Sequence, residues 1–318
     1  MKITTLAISA IMSSASLGLI ATHAHAEESK SCKTVRFADV GWTDITATTA
    51  TATIILEALG YDTQVKLLSV PVTYASLKNK DIDIFLGNWM PTMESYIAPF
   101  EADGSVETLR TNLSGAKYTL AVPDYTYERG IKTFEDIAKF SDDLDQEIFG
   151  LEAGNDGNKQ ILDMINAGDF GLADFELRES SEAGMLSQVS RAIRRERDIV
   201  FLGWEPHPMN SNFKLRYLEG GDKYFGPNLG GAEVRTNVRA GYTQECPNIG
   251  NFLNNLEFTL QLENEIMGAI LNDKQKPEDA AKAWLQKNPD ILEEWLEGVT
   301  TSSGQNGLTA VKAALDLN

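Results

Sequence analysis

The run VRFADVGW (35–42) is a short alternating β-run that stops at Gly41 and delivers Trp42, and it has two counterparts further along, DIDIFLGNW (81–89) and RDIVFLGW (197–204). In each, a β-run closes with glycine and a tryptophan follows at once or one residue on. Open α/β sheets bind ligands in the crevice at the carboxyl ends of their strands. A glycine there lets the backbone turn sharply, so that the next side chain swings over the crevice. Trp42, Trp89 and Trp204 are three of the five tryptophans; the others, Trp284 and Trp295, fall in a helical C-terminal region. Taken singly, each indole could equally plug the end of the sheet as core, because tryptophan is usually largely buried. One device used three times, in both halves of the chain, favours a shared site.

Outward from these runs, strand-like and helix-like segments alternate, which predicts an α/β fold. Strands are expected at Thr34–Val40, Gln64–Ser69, Asp83–Leu86, Tyr118–Val122, Ile148–Leu151, Phe175–Arg178, Ile199–Leu202 and Val234–Ala240. Helices are expected at Thr46–Leu59, around 72–77, at Thr133–Phe140, from the GNDGN turn to about Asn166, and at Glu182–Arg194. Pro91 suits a first helical position. From Asn251 onward three or four helical segments are punctuated by Pro277, Pro289 and Gly298.

The first 26 residues read as a targeting segment: Lys2, an apolar and small-residue run from Leu6 to Ala21, and a small-x-small site at Ala24-His25-Ala26. Cleavage after Ala26 and export are expected. The remaining chain of roughly 290 residues exceeds what one core usually serves, so two lobes are expected. Residues 27–115 with 236–318 would form one and residues 116–235 the other, with hinges near 115–122 and 233–240. Lys+Arg number 28 against 46 Asp+Glu. So acidic a chain argues against nucleic acid or an anionic membrane as partner. Cys32 and Cys246 are the only cysteines. In an exported protein an isolated pair reads as one disulfide. A catalytic thiol would want a neighbouring histidine, and past the leader there is one, His207. That count also excludes a two-histidine zinc site, and no G-x-S-x-G, Walker A or G-x-G-x-x-G sequence occurs. No metal, cofactor or catalytic constellation is therefore expected, although a pair of facing carboxylates is not excluded by sequence.

A box of aromatic faces suits a cation, since each ring attracts it by ~0.5–2 kcal/mol. A quaternary ammonium has no N–H to donate, so rings that combine cation–π attraction with methyl contact suit it better than hydrogen-bonding groups do. Three or four rings supply several kcal/mol, short of the ~8 kcal/mol of micromolar affinity. Asp44, two residues past Trp42, can add Coulomb attraction; it can equally be an N-cap of the following helix, in competition with Thr43. Asn155, in the glycine-flanked turn, can present an amide to a polar ligand end, or be only a turn.

These passages, with TDITATTATAT (43–53), SGAKYTL (114–120), GNDGN (154–158), WEPHPMN (204–210), GPNLGGAEVRTNVRAGYTQECPN (226–248) and LENEIMGAILND (262–273), resemble the substrate-binding proteins of ABC importers for choline and betaines. The likeness covers essentially all of the chain past the leader. It implies a type II-like periplasmic binding protein: two α/β domains joined by two crossing hinge strands that close over the ligand. It further implies an aromatic cage of Trp42, Trp89, Trp204 and Tyr118, with Asp44 near the ammonium, Asn155 at the alcohol end, and a Cys32–Cys246 disulfide. Tyr118 is picked out by the resemblance alone. Choline is the implied ligand, an ABC permease the implied partner, and a monomer the expected state. Glycine betaine or acetylcholine would use the same cage, and a periplasmic hydrolase is the alternative from another class.

Overall fold

A computed structural model describes residues 29–317. The targeting segment expected over residues 1–26 lies outside the described residues. Among the described residues, nine strands form one curled mixed sheet: β1 (Thr34–Asp39), β2 (Asp62–Leu67), β3 (Ile84–Met90), β4 (Val106–Pro123), β5 (Glu147–Phe149), β6 (Glu176–Arg178), β7 (Val200–Glu205), β8 (Leu215–Tyr217) and β9 (Gly231–Arg239). Their order is β2-β1-β3-β9-β4-β7-β5-β6, with β8 paired to β4. Two parallel half-sheets, β2-β1-β3 and β7-β5-β6, are thus joined through β9 and β4.

β4 is the element whose extent sequence patterning underestimates. A strand was expected at Tyr118–Val122, and the observed one begins at Val106. Its first part pairs antiparallel with β9 from Val106↔Arg239 to Lys117↔Gly231, and its last part pairs with β7 and β8. The early part reads VETLRTNLSG, polar and half-exposed, so it lacks the apolar run that announces a strand; register shifts interrupt its alternation further. β8 is likewise too short and polar to be legible.

The helices that matter to the site are α1 (Thr43–Ala58), α2 (Val70–Lys78), α3 (Glu94–Ala102), α4 (Asp156–Ala167) and α5 (Glu182–Arg194). At the C-terminus lie α6 (Pro247–Asn255), α7 (Leu260–Leu271), α8 (Pro277–Lys287), α9 (Ile291–Trp295) and α10 (Gly307–Ala314), five segments beginning at Pro247 rather than three or four from Asn251. Pro91 is not a first helical position; the chain turns through 91–93 before α3.

α1 is buried on nearly every side, although its sequence, TDITATTATATIILEA, is rich in threonine. The sheet covers one face and α7 and α8 the other, which is why its hydrophobicity shows no polarity around the axis. Threonine is admissible there because its hydroxyl bonds back to the helix: Thr48 to Asp44 O (3.1 Å), Thr51 to Ala47 O (2.8 Å) and Thr53 to Ala50 O (3.0 Å). A disulfide joins Cys32, just before β1, to Cys246, just before α6, with both residues fully buried. Among the described residues no helix is long and apolar enough to cross a membrane.

Candidate functional site

The three tryptophans do converge, by means that differ from one another. Only Gly41 has the left-handed backbone (φ 84°) that turns a chain sharply, and it sets Trp42 at the N-cap position of α1. Trp89 and Trp204 lie inside β3 and β7, not beyond them. Their glycines serve close packing instead. A Cβ on Gly87 would sit 2.8 Å from the Ile45 side chain, and one on Gly203 would sit 2.9 Å from Ala121 Cβ. β3 is irregular between Phe85 and Asn88, and Trp89 follows directly.

Trp42, Asp44, Trp89, Tyr118, Leu151 and Trp204 line one narrow cavity. Tyr118 and Trp204 are direct cross-strand partners in β4 and β7. Their rings meet edge to face at 6.4 Å, and Tyr118 tilts at 60° to Trp89 at 5.8 Å. Such offset and edge-to-face geometries are the favourable ones for aromatic pairs. The Tyr118 hydroxyl donates to Asn155 Oδ1 (2.9 Å), which also accepts from the Asn158 N–H (3.0 Å). Asn155 is thus the N-cap of α4 and one hydrogen bond behind the cavity wall. Its Nδ2 is buried without a hydrogen-bond partner. Gly157 makes room for this contact, because a Cβ there would lie 2.2 Å from Tyr118 Oη.

Asp44 is no N-cap. Its Oδ2 accepts from the Trp89 indole N–H (3.0 Å), and its Oδ1 has no hydrogen-bond partner. Burial pushes its carboxyl up to about 8, and the negative charge of Glu182 pushes the same way. Glu263, also buried, is held well above the ordinary carboxylate range by burial and by the charge of Asp44. Asp156, at the start of α4, is pushed up to about 7, mainly by burial. Of these three buried carboxyl groups, Asp44 alone lines the cavity.

Sequence reading missed four residues here. Leu151 lines the cavity; it follows β5 and Gly150, the same strand–glycine pattern with leucine in place of tryptophan. Glu152 accepts from the Trp42 indole N–H (2.9 Å). Glu182 accepts from both the backbone N–H (2.8 Å) and hydroxyl (2.7 Å) of Thr43. His207 packs its ring edge-on to Trp204 at 4.6 Å and lies 3.1 Å from Glu182. Nothing local in the sequence connects Glu182 to Thr43, 139 residues away.

The profile of a family described as the substrate binding domain of ABC-type glycine betaine transport systems matches residues 33–287. The chain belongs to this family. It is similar over 91% of its length to a solved ABC-transporter choline-binding protein, at 67% identity and covering all of that chain. The TM-score is 0.90 against that protein's choline complex and 0.84 against its unliganded semi-closed form. Lactococcal OpuAC, solved closed with glycine betaine, is 26% identical over 83% of this chain and 99% of its own, with a TM-score of 0.75. The glycine betaine/carnitine transport binding protein GbuC of Listeria monocytogenes is 32% identical over 51% of this chain and 52% of its own. The fold is accordingly that of the two-lobed periplasmic binding proteins, and the protein is the substrate-binding component of an ABC glycine betaine/choline transporter, a transport protein by family. Members of this kind work outside the cytoplasm.

Proposed function

We propose that the protein captures choline in the cavity between Trp42, Trp89, Tyr118 and Trp204, with Asp44 beside the ammonium and Asn155 toward the hydroxyl end. The observation that carries this reading is Asp44. It is a buried carboxyl with one oxygen unpartnered, set among aromatic rings. A quaternary ammonium matches both features: it takes cation–π attraction from the rings and Coulomb attraction from Asp44, and asks for no hydrogen bond. The similarity to a choline-binding protein at 67% identity supports the same ligand.

The lobes in this reading are 27–115 with 236–318, and 116–235, hinged near 115–122 and 233–240. β4 and β9 are the crossing strands. Trp42, Asp44 and Trp89 then belong to the first lobe and Asn155 and Trp204 to the second, so the ligand bridges them and closure follows from its higher affinity for the closed form. The closed monomer is recognised by an ABC permease after export to the periplasm and cleavage at Ala26.

The second reading is glycine betaine, supported by the betaine proteins among the relatives. Its carboxylate would have to lie in a cavity shared with Asp44, which disfavours it. Isothermal titration with choline, glycine betaine and acetylcholine decides between the two. One-to-one choline binding with much weaker betaine binding is expected; preferred betaine binding overturns the role given to Asp44, and no heat from any of them overturns the cage.

A further inference from the structure

We propose that Glu182 is the residue that locks the closed form, by capping helix α1 of one lobe from helix α5 of the other. This inference rests on the two-lobed closure proposed above. α1 is sixteen residues long and begins beside the cavity, yet its own N-cap residue is Trp42, which offers no side-chain acceptor. A helix start leaves backbone N–H groups unsatisfied, and a buried one requires a partner. For the first of them, that of Thr43, the partner is Glu182 Oε2 at 2.8 Å. Glu182 Oε1 accepts from the hydroxyl of the same threonine at 2.7 Å.

The carboxylate is held for this task. Glu182 is the first residue of α5, whose own cap is Ser181 accepting from Gly184 N–H at 3.2 Å. It therefore lies between the positive ends of two helices, each of which favours a negative charge. His207 fixes it from a third side. The Met209 N–H points at His207 Nδ1 (2.9 Å), so the ring hydrogen is on Nε2 and is directed at Glu182 Oε1, 3.1 Å away. All three groups are buried: Glu182 is 5% exposed, His207 1% and Thr43 9%.

The location gives the contact its function. Thr43 is flanked by Trp42 and Asp44, two walls of the cavity, while His207 packs on Trp204, a third. One carboxylate thus ties the ligand-facing start of α1 to the ligand-facing end of β7, and does so only when the lobes are together. Opening leaves α1 without a cap and Glu182 without its partner. Further hydrogen bonds span the lobes, among them Trp42 to Glu152, Gln160 to Thr92 O and Asn212 to Asn272, but each is a single bond and less deeply buried. Glu182 acts here as a positioning residue. It stays outside the cavity lining and acts on the open–closed balance through Thr43.

The test is Glu182→Gln, which keeps the shape but has one acceptor oxygen, so the Thr43 N–H or its hydroxyl loses its partner. Choline dissociation is followed by stopped-flow tryptophan fluorescence, and the unliganded envelope by small-angle X-ray scattering. Loss of a charge-assisted buried hydrogen bond predicts dissociation faster by about tenfold or more, with association little changed. The unliganded variant is expected to be more expanded than the wild type. A dissociation rate within twofold of wild type, or a lowered Tm with unaltered kinetics and scattering, overturns the latch. If Glu182→Gln does not fold, Thr43→Val, which removes only the hydroxyl donor, must still speed dissociation by about tenfold, as loss of one hydrogen bond to a charged carboxylate requires. If wild-type protein ignores choline, the ligand reading fails. The scattering comparison then decides the latch alone, and identical envelopes for variant and wild type overturn it.

Discussion

Replacing Trp204 by alanine separates the cage from a merely buried tryptophan. Trp204 is 3% exposed and packs on Tyr118 and His207. Removing it therefore lowers stability, by ~3–5 kcal/mol for a core tryptophan. Its effect on binding has two sources. The desolvated ring contributes about 2 kcal/mol of cation–π attraction. A ligand methyl packed on the indole adds about 0.8 kcal/mol of burial. Together these make about 3 kcal/mol, or roughly a hundredfold rise in Kd. Isothermal titration with choline reads that change, with circular dichroism confirming that the variant is folded at the assay temperature. The neutral carbon isostere of choline, carrying a tert-butyl group, divides the two sources. It lacks the charge, so Trp204→Ala should weaken its binding by only about fourfold, the burial part alone. Trp204→Phe keeps a ring face and should restore most of the choline affinity. A choline Kd for folded Trp204→Ala within threefold of wild type would refute the cage, and an equal loss for choline and its isostere would refute the cation–π argument.

Three further outcomes are expected. Asp44 and Asp156 have carboxyls raised to about 8 and about 7 by burial in the closed form; a raised carboxyl stabilises the state that raises it at low pH, and that contribution is lost as pH climbs from about 4 through those values. The unliganded closed population, read by scattering, should therefore fall between about pH 4 and 8, with Asp44→Asn and Asp156→Asn each flattening the profile; a flat wild-type profile sinks this. Replacing Cys32 and Cys246 by serine removes a buried cross-link that spans 214 residues, and should lower stability in calorimetry by about 2–5 kcal/mol while leaving the choline Kd within twofold, since neither cysteine lines the cavity. Gly157→Ala places a methyl where Tyr118 Oη lies, so titration should show choline binding weakened by tenfold or more through a displaced Tyr118; unchanged binding would remove Tyr118 from the cage wall.

The convergence of the three tryptophans was legible because its clues are local. Trp42, Trp89 and Trp204 each follow a β-run within one or two residues of a glycine, and strand ends of an α/β sheet share an edge by topology. Even so the stated device was correct only at Gly41, because φ and close approach cannot be told apart from a glycine in sequence. Tyr118 carried no local mark; what makes it a wall is its pairing opposite Trp204 across two strands and the space left by Gly157. Asp44 read equally as cap or contact, and the structure rules out the cap, its Oδ2 accepting from the Trp89 N–H instead.

By itself the sequence determined the alternating α/β plan, the cysteine pair, the narrow choice of chemistries left by one histidine beyond residue 26, and the candidate aromatic set. Each of these is a property of residue type or of spacing along the chain. Tertiary structure alone decided the full length of β4, the entry of Leu151 and Glu152 into the site, and the meeting of Glu182 with Thr43 and His207. Those are contacts between distant segments, and their strength depends on burial: a carboxylate that is ordinary on a solvated helix start becomes a latch between two helix ends only where folding has removed the water.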